Sequence, residues 1–174
     1  MELKQLERMI ERARGRIDFM WIGEDLGTQI APMISMELYN SVLRPIHSQY
    51  IELAKSYGLP VMIHSCGSSS WVYEEWIRMG VRAVDTLQPE AKNMQPQYLV
   101  ERFGGRLSFH GSISTAGPLA YGTPKDVEDN VRETCEIYRD TYSYIISPTH
   151  SIQDNSPLEN VLALYESARK YGKY

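Results

Sequence analysis

Four histidines and two cysteines are the residues of this 174-residue chain best suited to hold a metal or move a proton. Two of them, His64 and Cys66, stand one residue apart in VMIHSCGSSS, where an apolar strand runs out into a Gly-Ser loop. Alternate residues of a strand share a side, so both can face one centre if strand geometry persists through Cys66. Neutral imidazole and thiolate are donors that zinc prefers, and a catalytic zinc site uses three protein ligands and one open position. His150, in SPTHSIQ, is the natural third ligand, and His110, in RLSFHGS, is a second candidate. The same pair would equally suit an ordinary strand end, as a hydrogen-bonded His beside a small Cys.

The carboxylates Glu24 and Asp25 follow another apolar run, IDFMWIG. Neighbours on a strand point to opposite sides, so one of the two faces the centre, as a metal ligand or as a general base tuned by burial. An Asp turn before Gly27 is the alternative. Asp85 and Gln88 either orient a substrate or cap the helix that follows. Gly67-Ser68-Ser69-Ser70 reads as an anion cradle or as a plain helix cap. His47 and Cys135 fall within helical patterns and read as structural. The chain has no Walker loop and no G-x-G-x-x-G after a strand.

The elements that must position these residues alternate strictly. A leading amphipathic helix carries Leu3, Leu6, Met9, Ile10 and Ala13 on one face. IDFMWIG, 17–23, is apolar enough for a strand buried on both faces. A long helix from about 36 to 57 follows, capped by Ser35 and kinked by Pro45. Then come the strand PVMIHS, the helix WVYEEWIRMG with Trp71, Val72 and Trp76 inward, the strand VRAVDTLQ and the short helix QPQYLVERFG. After the strand RLSFHGS, Thr123-Pro124 opens another helix. YSYIIS is the last strand, and Ser156-Pro157-Leu158-Glu159 reads as a capping box for the final helix.

Five strand–helix units mean α/β with a parallel sheet. The sheet is either an open doubly wound one or five-eighths of a (β/α)8 barrel. Length favours the open sheet, since a whole barrel takes about 250 residues. In both, function sits at the carboxyl ends of the strands. Those ends read GEDLGTQ, HSCG, DTLQPE, HGSIST and SPTHSIQD and hold three of the four histidines. The opposite turns, GRID, YGLP, MGVR, FGGR and RDTY, hold no His or Cys.

Composition excludes several classes. The net charge of −4, with no block of like charge, gives no basic face for nucleic acid. No apolar run approaches the roughly 18 residues of a membrane span. The two cysteines allow at most one disulfide, and the chain reads as a single cytoplasmic domain, 1–174.

With these motifs in view, the chain resembles the uroporphyrinogen decarboxylase superfamily, nearest its corrinoid-dependent methyltransferase branch. The segments that carry the likeness are GEDLGTQ (23–29), ELYNSVLRPIHSQYIELAKSYGLPVMIHSCGS (37–68), RLSFHGSIST (106–115), GTPKDVEDNVRE (122–133) and SPTHSIQDNSPLENVLALYE (147–166). The resemblance implies a partial (β/α)8 TIM barrel, the C-terminal five strand–helix units of the family fold, in place of the open sheet. It implies zinc on the H-x-C pair His64 and Cys66, with a third ligand near the last strand, where relatives have Cys and this chain has His150. Glu24 stands where many relatives have Asp. The implied reaction moves a methyl group between a small methylated substrate or a thiol and a corrinoid carried by a partner protein. Glu24 or Asp25 would be the acid–base group, and Gln29, Gln88, His110 and Gln153 would line the substrate pocket. The tetrapyrrole-holding aspartate of the true decarboxylases has no counterpart here. Alternatives are a non-catalytic relative that binds a corrinoid protein or small ligand, and, last, a decarboxylase fragment. Five barrel strands leave two open edges, so a homo-oligomer or a second polypeptide is expected to complete the barrel.

Overall fold

The computed structural model describes residues 2–173. Five strands, β1 (Met20–Gly23), β2 (Val61–His64), β3 (Ala83–Leu87), β4 (Ser108–Ile113) and β5 (Tyr144–Pro148), form one sheet in the order β1-β2-β3-β4-β5. Every neighbouring pair is parallel. A doubly wound sheet reverses its strand order at a switch point, whereas a barrel adds each strand beside the last. The sequential order is therefore that of a barrel arc, and the open sheet that length favoured is set aside.

The helices are α1 (Leu3–Ala13), α2 (Met36–Leu38), α3 (Arg44–Ser56), α4 (Tyr73–Met79), α5 (Pro96–Phe103), α6 (Pro118–Tyr121), α7 (Pro124–Tyr138) and α8 (Leu158–Tyr171). They cover the outer face of the sheet. Ile63, Val84 and Phe109, in register on β2, β3 and β4, are fully buried there, packed in one cluster with Trp76, Tyr73 and Leu99. A smaller cluster of Ile113, Leu119, Val127, Val131, Cys135 and Leu164 sits under α6, α7 and α8, so Cys135 is core as its helical spacing implied.

Several local expectations change. The first strand is four residues long, and its alternation is one-sided: Met20 is buried, while Phe19 and Trp21 are 48% and 52% exposed. Ile145 on β5 is likewise 54% exposed. These side chains lie on the concave face, which no opposite strand covers among the described residues. The helix expected over 36–57 is three segments: α2, a π-helical stretch Tyr39–Leu43, and α3. Pro45 falls in the first turn of α3, directly after the π-helical stretch, and the wide π turn accommodates its missing N–H without breaking the run of helix. Ser35 does cap, accepting from the Leu38 amide at 3.1 Å. Thr123 caps α7 in a full capping box with Asp126. Ser156 does not cap α8: Pro157 is the N-cap, and the buried Ser156 hydroxyl has no partner among the described residues. Trp71 lies in a short 3-10 turn and is only half buried, whereas Val72 and Trp76 are buried as expected. The short α6 was not legible in the sequence.

Candidate metal centre

Register builds the site. Gly23, His64, Asp85, His110 and Ile145 are paired in sequence across the five strands. They form a row on the concave face near the carboxyl ends. Below it run Trp21, Met62, Ala83 and Ser108, residues two back along each strand and so on the same face. The lower row is largely apolar, and the upper one carries the chemistry.

The loops after β1 and β2 are drawn together at this rim. The Cys66 amide donates to Asp25 Oδ1 at 2.9 Å, the Leu26 amide to Ser65 Oγ at 3.0 Å, and the Ser68 amide to the Thr28 carbonyl at 2.8 Å. This approach needs two glycines. A Cβ on Gly67, which has φ +69°, would lie 2.3 Å from the Gly27 carbonyl oxygen, and a Cβ on Gly27 would lie 2.5 Å from the Ser68 nitrogen. The loop after β3 joins through Gln88, whose Oε1 accepts from the Gly67 amide at 2.6 Å and from Gln29 Nε2 at 3.4 Å. Ser68 and Ser69 are buried and bonded, Ser68 Oγ to the Lys92 carbonyl and Ser69 Oγ to the Ser65 carbonyl and the Tyr73 hydroxyl. The Gly-Ser stretch staples loops together, and Ser69 makes no side-chain cap to the turn that follows.

The loop contact sets Asp25 beside the His-Cys pair. Cys66 Sγ lies 3.5 Å from His64 Nε2, and Asp25 Oδ1 lies 3.7 Å from the same nitrogen. The three donors lie within 4.8 Å of one another, and they form the only such group of His, Cys, Asp or Glu among the described residues. Zinc bonds of about 2.0–2.3 Å at tetrahedral angles put donor atoms roughly 3.3–3.8 Å apart. The two separations from His64 Nε2 fall in that range, and an imidazole nitrogen, a sulfur and a carboxylate oxygen are donors that suit the ion.

Of the two adjacent carboxylates, Glu24 points away. Its Oε2 is 3.8 Å from Nε2 of His47, which is buried on α3 and whose Nδ1 meets the Tyr39 hydroxyl at 3.2 Å. Burial and the neighbouring Asp25 raise the Glu24 pKa, and burial lowers that of His47, so both drift toward neutral. His150 is exposed outside the three-donor group, with Nδ1 3.3 Å from the Ser151 carbonyl oxygen and 3.4 Å from Gln153 Nε2. Gln153 is exposed too and donates to the Ser151 carbonyl at 2.8 Å. Neighbouring strands are about 4.8 Å apart, and β5 is three strands from β2, whereas β1 is adjacent.

Sequence reasoning gave Asp85 no settled role, yet it is the hub of the row. His64 Nδ1 and Trp21 Nε1 donate to its Oδ2 at 3.0 and 3.1 Å, and His110 Nδ1 donates to its Oδ1 at 2.6 Å. Burial alone would raise its pKa, but the hydrogen bonds from His110 and His64 outweigh it and hold the carboxyl far below the usual range. In return the hydrogen bond to Asp85 raises the His64 pKa. Burial and the Asp25 carboxylate push the Cys66 thiol up to about 11, so without a metal it is protonated at neutral pH. The signal for Asp85 was a lone carboxylate in an apolar strand, AVDTL.

Residues 23–171 match the family model for uroporphyrinogen decarboxylase (URO-D). No curated protein matches the chain. Among solved structures, a methyltransferase from Methanosarcina mazei superposes with a TM-score of 0.68 at 19% identity, over 90% of this chain and 43% of that one. A dihydropteroate synthase from Thermus thermophilus, in complex with 4-aminobenzoate, gives 0.56 at 14% identity, over 97% of this chain and 63% of that one. A TatD homologue from Escherichia coli gives 0.54 at 15% identity, over 97% and 61%. At such identities the likeness is one of fold, and the chain spans less than two thirds of each of these proteins.

Proposed function

We propose, for a chain that belongs to the uroporphyrinogen decarboxylase family, that it supplies the zinc-binding part of a corrinoid-dependent methyltransferase site. His64 Nε2, Cys66 Sγ and Asp25 Oδ1 hold the ion, with Asp25 taking the place that the resemblance gave to a residue near the last strand. The observation that carries this reading is the convergence of those three donors within 4.8 Å of one another, with His64 Nε2 3.5 Å from Cys66 Sγ and 3.7 Å from Asp25 Oδ1. The fold likeness to a methyltransferase supports the choice of reaction. Bound there, zinc would act as a Lewis acid that lowers the pKa of a thiol or polarises a methyl-bearing atom. The protein's own part is position. The Gly27–Gly67 contact holds the two ligand loops together, Gln88 and Gln29 brace them, and Gln88, Gln29 and His110 offer polar contacts to a small methylated substrate or thiol. The corrinoid rides on a separate protein, and Glu24 and Gln153 lie outside the ligand set.

The test begins with metal content. Protein purified without added metal should carry about one zinc per chain, by the stoichiometry of a catalytic site. Cys66→Ala, His64→Ala and Asp25→Asn should lose it, while Cys135→Ala and His150→Ala should keep it. Full zinc in Cys66→Ala would sink the site. Methyl exchange between methylcobalamin and a thiol, followed through the cobalt absorption spectrum, then tests the reaction. A zinc-loaded protein that leaves methylated corrinoid unchanged with every thiol tried would favour a binding module without turnover.

A further inference from the structure

Asp85 is 8% exposed, and its acceptor capacity is full. An ionised carboxylate offers about four lone-pair sites. Trp21 Nε1 and His64 Nδ1 take Oδ2, while His110 Nδ1 and Thr86 Oγ1, the latter at 3.1 Å, take Oδ1. This carboxylate cannot hold a metal or accept a substrate proton without giving up a bond it already makes. Its influence passes through the imidazoles. An ionised carboxylate carries no proton, so each Nδ1 that meets it must be the N–H, and in a neutral ring the other nitrogen is then a bare acceptor. His64 Nε2 is the nitrogen that faces Cys66 and Asp25. His110 Nε2 has no partner among the described residues, and its side chain is 27% exposed on the same concave row.

We propose that Asp85 is a positioning residue that fixes His64 and His110 as a matched pair of Nδ1–H tautomers. His64 thereby offers its lone pair to the metal centre. His110 offers its own to a ligand that carries a hydrogen-bond donor, such as a thiol, hydroxyl or ammonium group. The role given to His64 rests on the zinc reading, and the tautomer pair does not. A carboxylate behind a ligating His orients the ring and raises its basicity, and losing such a partner costs about 10–100-fold in metal affinity. Here a single carboxylate serves two rings from two neighbouring strands.

Nitrogen-15 imidazole spectra of the metal-free protein, above the imidazole titration range, should show both rings protonated at Nδ1 and bare at Nε2. An Nε2–H tautomer at either ring in the parent protein would overturn the proposal. Asp85→Asn should convert at least one ring to a tautomer mixture and weaken Co2+ binding, read by competition with a chromophoric chelator, by about 10–100-fold. A Co2+ affinity for Asp85→Asn within about twofold of the parent would also overturn it, being far short of the loss expected for such a partner. If Asp85→Asn does not fold, the parent spectrum alone decides. A parent that shows both Nδ1–H rings but binds no metal would defeat the zinc reading and leave the tautomer pair standing.

Discussion

At the scale of single residues, the proposed centre is defined by protons that must leave it. The Cys66 thiol, raised to about 11 by burial and by Asp25, is protonated at neutral pH. Zinc binds the thiolate, so uptake releases that proton. One proton released makes apparent affinity rise about tenfold per pH unit below the thiol pKa. His64, raised by its hydrogen bond to Asp85, adds a second released proton below its own pKa and steepens the dependence there. Calorimetry in buffers of different ionisation heat should therefore count one proton at mildly basic pH and more at mildly acidic pH. An affinity that does not change with pH would mean that Cys66 is not a ligand. The sign follows from the raised pKa values: both groups hold their protons more tightly in the metal-free fold, so acid opposes the metal.

At the scale of elements, two loops and one register carry the site. The β1 and β2 loops touch backbone to backbone at Gly27 and Gly67, and Gly67 also adopts a positive φ. Gly67→Ala places a Cβ against the Gly27 carbonyl oxygen and imposes a left-handed backbone that costs an alanine about 1–2 kcal/mol before any clash is counted. The loops must part, and Asp25 leaves Cys66. The expected outcome is a lower urea midpoint together with loss of bound metal. An unchanged midpoint and full metal content in Gly67→Ala would show that the loop contact is dispensable. Gly15→Ala is the control: its φ is also positive, at +77°, but no atom lies within 4 Å of the added Cβ, so metal binding should survive.

At the scale of the whole molecule, the arc has an apolar inner face and two open edges. Phe19, Trp21 and Ile145 are about half exposed there, and Phe19, Met62, Ala83 and Ile145 line a shallow depression at the foot of the concave face. In a closed barrel, β1 and β5 would each have a strand on either side. Several hundred Å2 of uncovered apolar surface, at about 25 cal/mol per Å2, amounts to on the order of 10 kcal/mol, the size of a whole domain's stability. Unpaired edges of this kind invite association. We expect this 174-residue polypeptide on its own to associate, as a homo-oligomer or with a second polypeptide, through the β1 and β5 sides. Light scattering at micromolar concentration is the check, and a stable monomer would refute it. Among the described residues no helix is long and apolar enough to cross a membrane.

What the sequence determined by itself is local. The period-two run VMIH sets the side that His64 faces, because strand alternation is a property of the backbone; β2 ends at His64, and Cys66 is placed by the loop that follows. The strand–helix alternation, the Thr123 cap and the sorting of histidines to one rim needed no knowledge of distant contacts. The exposure of Trp21 and Ile145 was not legible, because an apolar run reads alike whether or not a facing wall covers it. The partner of the His-Cys pair was not legible either. His150 and Asp25 are both plausible donors by type, and only strand order puts β1 beside β2 and β5 three strands away. The role of Asp85 came from register alone: each of Gly23, His64, Asp85 and His110 lies 21 to 41 positions from the next in the chain, and hydrogen bonding between strands sets them side by side. Tertiary structure decided these points because pairing across strands is a non-local choice, and no short stretch of sequence contains both partners.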